Sequence, residues 1–173
     1  MEKDEAKRAE FMEIVDNLPS NRLYYIDECG LDKYLHREYG YAPRGAPIYG
    51  KVSGKKFKRV NVIAAQCEGR IVAPMTYKGT TDSVVFEWWF VNVLLKTAPK
   101  DSVFILDNAS FHRKRKLREL AARAGCEVLF LPSYSPDLNP IENFWAWLKQ
   151  RLRSILPLFS SFDDALLVCF HVK

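Results

Sequence analysis

Two short apolar runs, "LYYID" at 23–27 and "VFILD" at 103–107, each end on an aspartate. Four apolar, aromatic and β-branched residues are too few for a helix and fit a strand. The first run sits in "RLYYIDECG" and is closed by glycine; the second sits in "DSVFILDNAS". Two strands that end alike put Asp27 and Asp107 beyond the carboxyl ends of strands, where α/β sheets form their sites. A chain of 173 residues has room for one domain with a core that needs no disulfides or metal staples.

The remaining pattern predicts the company these strands keep. Residues 4–18 read as a short acidic amphipathic helix that stops at "LPSN", so residues 1–20 form a helical lead-in to a domain over 21–173. Residues 31–50, rich in Tyr, Pro and Gly, read as turns. "RVNVIAAQC" and "RIVAPMTY" flank "EGR" as an antiparallel hairpin. "TTDSVVFEWWFVNVLLKTAP" has a capping residue at its start and proline at its end, the marks of a buried helix. A basic helix over 113–124 closes at Gly125, and "EVLFLP" is a further strand. One helix runs from 140 to about 155, and another, capped by Ser161, covers about 162–171. Strands in series followed by alternating helix and strand predict a mixed sheet with helices on its faces.

Composition excludes several classes. At 48% hydrophobic and 27% charged residues the chain is neither disordered nor collagenous, and no apolar run approaches the roughly eighteen residues of a membrane helix. Without a visible secretory signal, the default address is the cytoplasm. Cys29, Cys67, Cys126 and Cys169 form no CxxC pair and read as free thiols rather than a zinc site. The net charge of +5 is uneven: residues 1–20 hold six acids against three bases, leaving +8 on residues 21–173. "KKFKR" (55–59), "RKRKLR" (113–118) and "KQRLR" (149–153) carry that excess and suit a polyanion such as nucleic acid.

Neighbouring aspartates repel, and a hard divalent cation compensates them with oxygen ligands. A third carboxylate would complete such a site, and Glu142 is the candidate. It also has a local explanation: Asn139 can cap the helix, Pro140 can take its first position, and Glu142 can close a capping box. On the helical wheel Ile141, Phe144, Trp145, Leu148 and Leu152 share one face, with Glu142, Lys149 and Arg153 on its flank. Ala146 stands four residues after Glu142, so no local base neutralises it, and Lys149 and Arg153 are a like-charge pair.

"IDE", "LDNASFH" and "LPSYSPDLNPIENFWAWLK" together resemble the catalytic core of the mariner-like superfamily of DDE transposases, in its bacterial insertion-sequence branch. The 34 residues between Asp107 and Glu142 agree with that branch, and the resemblance covers roughly 22–155. It implies a ribonuclease H-like fold, a mixed five-stranded sheet with helices on both faces. It also implies an enzyme that uses Mg²⁺ or Mn²⁺, as two ions, to cleave transposon ends and join the freed 3′-hydroxyl to target DNA. Carried over by position, Asp27, Asp107 and Glu142 are the catalytic, metal-binding triad. Lys55, Lys56, Lys58, Arg59, Lys149 and Arg153 become candidate contacts to DNA. A homodimer in the DNA-bound complex and association with the nucleoid follow from the same resemblance.

Asp27 is preferred over Glu28 because it shares a strand face with Leu23 and Tyr25. Asn108 and His112 are possible accessory residues, and loop capping is their plainer role. Trp88, Trp89 and Trp145 fit a core better than base stacking, whereas Trp147 lies off the apolar face. Fewer than 25 residues precede the first strand, where the family carries a helix-turn-helix region. A catalytic fragment, as from an element split between two reading frames, or a decayed remnant is therefore expected. The alternatives are a catalytically inactive DNA-binding remnant and another ribonuclease H-like nuclease.

Overall fold

The computed structural model describes residues 4–31 and 59–171. Helix α1 (Glu5–Asp16) is followed by strands β1 (Leu23–Leu31), β2 (Val60–Cys67) and β3 (Arg70–Lys78). Helix α2 (Ser83–Trp89) continues through a π-helical stretch, Phe90–Leu94, into the short α3 (Leu95–Thr97). Strand β4 (Val103–Leu106), helix α4 (Lys114–Arg123), strand β5 (Glu127–Phe130) and helices α5 (Ile141–Ile155) and α6 (Phe162–His171) complete the order. The predicted turns over 31–50 lie, apart from Leu31, outside the described residues.

The sheet runs β3-β2-β1-β4-β5, with β1, β2 and β3 antiparallel and β4 and β5 parallel to β1. Glu68 and Gly69 both take positive φ, 48° and 77°, which is how a two-residue loop matches the twist of the β2–β3 hairpin. Gly125, at φ 72°, ends α4 in the left-handed conformation that glycine adopts without a Cβ clash.

Alternation along β1 sorts its residues onto two faces. Tyr24 and Ile26 pack with Phe104 and Leu106 of β4 against Phe86, Trp89 and Phe90 of the α2 rod and Leu117 and Ala121 of α4. On the other face Cys29, Leu31, Val62 and Ala64 meet Ile141, Phe144, Trp145 and Leu148 of α5 and Ala165, Leu166 and Cys169 of α6. Leu23, Val103 and Ile105 form a third cluster with Phe11 of α1 and Leu131. The amphipathic character expected of α1 is weak: Phe11 is buried and Val15 packs partly buried beside it, while Met12 and Ile14 stay exposed. A charged contact adds to it, since Arg8 donates to both Asp137 oxygens at 3.2 and 2.6 Å and so ties α1 to the loop before α5.

Two expectations about elements change. Strand β1 does not stop near Asp27 but runs to Leu31, because β2 continues to pair with it as far as Leu31↔Val60. Its pairing with β4 ends at Tyr25↔Ile105, so Asp27 emerges past its parallel neighbour and in the middle of its own strand. The capping box is also absent. Asn139 is extended and Pro140 is already helical, yet no side chain caps α5, and the Asn139 amide turns inward to donate to Ile26 O at 3.4 Å.

A buried carboxylate clamps α2 to α4. Glu87 accepts from Arg113 at 2.5 and 2.6 Å and pairs with Lys116 at 2.6 Å. Burial opposes its charge, but the two bases hold its carboxyl below the usual range. Glu87→Gln keeps the shape and removes the charge. It should lower stability by about 1–3 kcal/mol, roughly 2–10 °C in calorimetric Tm for a chain of this size.

Candidate active site

Asp27 and Asp107 reach one place because their strands share a register. Tyr25 pairs with Ile105, so the aspartates each stand two residues beyond the last paired position and project from the same face. Glu142 arrives from the first turn of α5, which packs on that face. With Asn108, Asn139 and the loop from Leu131 to Pro136, the three carboxylates line a cleft of about 420 Å³. Glu28, on the opposite face, does not line it.

Asp27 is the electrostatically uncomfortable member. Burial, then the charges of Glu28 and Glu142, push its carboxyl up to about 7. Among the described residues its side-chain donor is Trp145, whose Nε1–H donates to Oδ2 at 2.9 Å. Expectation treated Trp145 as core packing, and it is buried; the missed signal is that a buried indole N–H seeks an acceptor, and Trp145 stands one turn after Glu142 on α5. Trp147, expected to be free of the core, packs partly buried against Phe144 with ring centroids 5.5 Å apart.

Asp107 is held differently. Its Oδ1 accepts from the Ala109 amide at 2.9 Å, and His112 Nδ1 lies 3.1 Å from the same oxygen. His112 Nε2 reaches Glu28 Oε1 at 3.4 Å, and the ring packs between Phe86 and Phe111 with centroids 4.3 and 4.4 Å away. Burial alone would depress the imidazolium, but Asp107 and Glu28 outweigh it and raise its pKa to about 9. The same contact with His112 is the largest influence holding the Asp107 carboxyl below its usual value. His112 therefore links a cleft carboxylate to one from the other face of the sheet.

Glu142 has no hydrogen bond or ion pair from its carboxylate among the described residues. Asn139 Oδ1 is buried in the cleft wall without a hydrogen-bond partner among the described residues. No three His, Cys, Asp or Glu side chains among the described residues are already gathered as a metal-binding cluster. The donor chemistry suits a hard cation all the same: three carboxylates in one cleft, one of them short of compensating charge, with an orphaned amide oxygen in its wall.

The other candidate residues lie elsewhere. Lys149 reaches the Cys29 thiol, and Arg153 is exposed one turn further along α5; neither lines the cleft. The Arg59 guanidinium lies over Gly30 of β1, where a Cβ would collide with it. Lys55, Lys56 and Lys58 fall outside the described residues.

A family model described as DDE superfamily endonuclease matches residues 22–164. This chain belongs to that family. Among relatives of this DDE superfamily member, the Tc1 transposase of Caenorhabditis elegans is 37% identical over 71 residues, which is 41% of this chain and 26% of that protein. The Mos1 transposase paired-end complex with left transposon end superposes with a TM-score of 0.74 at 19% identity, covering 96% of this chain and 53% of that one. The Mos1 mariner paired-end complex with Mn gives 0.69 at 20% identity, over 96% and 54%. These likenesses establish the ribonuclease H-like fold of the DDE domain. The chain spans less than half the length of the curated relatives it matches. No described helix is long and apolar enough to cross a membrane.

Proposed function

We propose that this chain is the catalytic domain of a DNA transposase that cleaves and transfers DNA strands with Mg²⁺ or Mn²⁺. The observation that carries this reading is the convergence of Asp27, Asp107 and Glu142 on one cleft, with Asp27 pushed up to about 7 by burial and by the charges of Glu28 and Glu142. Family membership and the Mn in the Mos1 complex support the choice of substrate and ion.

Asp27, Asp107 and Glu142 would hold the metal, two ions in the full site. Bound there, the ions would lower the pKa of the attacking water or 3′-hydroxyl and offset charge on the phosphoryl group. The chain's own groups prepare that site. Trp145 aims Asp27 by fixing Oδ2, and His112 with the Ala109 amide keeps Asp107 charged and oriented. Glu142, unencumbered at the start of a helix packed on the sheet, supplies the third carboxylate. Water or the 3′-hydroxyl is the nucleophile, so no covalent intermediate with the protein forms. Pairing two DNA ends calls for two copies of the chain, a homodimer assembled on DNA.

The test is nicking of a supercoiled DNA plasmid with and without Mn²⁺, comparing the wild type with Asp107→Ala. The expected result is metal-dependent nicking that the substitution reduces by about 10³-fold. Equal rates in the two proteins, with DNA binding intact, would leave a DNA-binding remnant as the function.

A further inference from the structure

The basic run Arg113–Arg118 divides into two sets of different character. Arg113 and Lys116 are engaged by buried Glu87, and Arg115 pairs with Glu119 at 3.5 Å. Lys114 and Arg118, one turn apart on a single stripe of α4, form no ion pair with a carboxylate among the described residues, and the charge of Lys114 reaches the cleft far enough to help hold the Asp107 carboxyl down. Both lie over the same ring: Lys114 Nζ is 4.9 Å and the Arg118 guanidinium 5.3 Å from the centroid of Phe130. Lys114 also donates to Asn108 Oδ1, the side chain that follows Asp107 into the cleft.

Two cations held over one ring repel each other, and neither forms an ion pair that would relieve it among the described residues. Arg118 and Lys7 of α1, the latter paired with Asp4 at 2.9 Å, line a groove of about 330 Å³ that also takes in Glu10. Asn108, Leu131, Pro132 and Ser133 line both this groove and the catalytic cleft, so the two depressions share a wall. A polyanion entering the cleft would thus meet the two cations of α4 at its edge. The side chains at i and i+4 stand about 6 Å apart, close enough to serve successive phosphates of one strand.

We infer that Lys114, Arg118 and Lys7 form a phosphate-binding track that carries one strand of the DNA substrate between the groove and the catalytic cleft. The inference rests on the DNA reading of the cleft and adds a path to it. It sets the ridge on α4 apart from Lys149 and Arg153 of α5, which do not line the cleft.

The experiment measures affinity for a short DNA duplex across a salt series, in wild type, the double variant Lys114→Gln with Arg118→Gln, and the control Arg115→Gln. Arg115 is on the same helix and has a 95% exposed side chain. Each phosphate contact contributes about 0.9 to the slope of log affinity against log salt. The double variant should lower that slope by about 1.8 and weaken binding several-fold at low salt, with an unchanged melting temperature; the control should match wild type. Wild-type slope in the double variant, or an equal loss in the control, would overturn the track while leaving the catalytic reading intact. Failure of the wild type to bind DNA would overturn both, and so would preference for an acidic peptide over the duplex.

Discussion

Asp27→Asn should abolish metal-dependent nicking, by about 10³-fold or more, and at the same time make the metal-free protein more stable above neutral pH. The two effects have one cause. Burial and the neighbouring Glu28 and Glu142 raise the Asp27 carboxyl from 3.8 to about 7. A carboxyl raised on folding binds more protons in the native than in the unfolded chain. Its contribution is therefore fully present below pH ~4, is lost as pH rises to about 7, and stays lost above it. At 1.36 kcal/mol per pK unit, the charged form costs at most ~4 kcal/mol. Asparagine has no charge to lose, and its oxygen still accepts from Trp145. Calorimetry in chelator at about pH 5 and about pH 8 should show the variant gaining several degrees on the wild type at the higher pH only. A variant that gains nothing at pH 8 would contradict the strain assigned to Asp27.

His112→Ala should have the largest effect on stability. It removes a buried ring packed on Phe86 and Phe111 and leaves Glu28, whose side chain is 13% exposed, without its partner. Breaking a buried ion pair from one side costs about 3–5 kcal/mol. The lower end applies here, because the Asp107 side chain is 47% exposed and can recover solvent. The pH dependence distinguishes this site from Asp27. A histidine raised from 6.5 to about 9 contributes fully below its unfolded value and loses that contribution as pH climbs through about 9. Wild-type stability measured in urea should fall between about pH 6.5 and 9. That fall should be missing in His112→Ala, which should also be about 3 kcal/mol less stable at pH 6. A loss below ~1 kcal/mol would mean that the Glu28–His112–Asp107 bridge carries little of the load.

The period of two along β1 and the wheel of α5 made the faces of these elements readable before any coordinates, and with them the side to which Asp27 projects. The same alternation sent Glu28 to the opposite face but could not say what waited there. His112 is 84 residues from Glu28, and Trp145 is 118 from Asp27; no local spacing encodes contacts of that range. The fate of Asn139 was hidden for a related reason. Its sequence neighbours make a capping box, yet the packing of α5 on β1 turns the amide toward Ile26 O, and tertiary contact prevails over the local motif. Strand length was equally invisible at Asp27, since what prolongs β1 is its partner β2 rather than its own residues.

The stretch between Asp107 and Glu142 can be understood as an excursion that must end at the height where it began. Ten residues of α4 advance about 15 Å along the helix axis, and the four of β5, with their flanking residues, return a little more than 13 Å. Leu131 then donates to Leu106 O at 2.8 Å, which brings the chain back alongside the strand end it left at Asp107. A residue gained or lost within α4 or β5 would break that closure, turning side chains to the wrong face and carrying Glu142 away from the aspartates. The 34-residue interval is in this sense a dimension of the machine, set by the out-and-back travel of one helix and one strand.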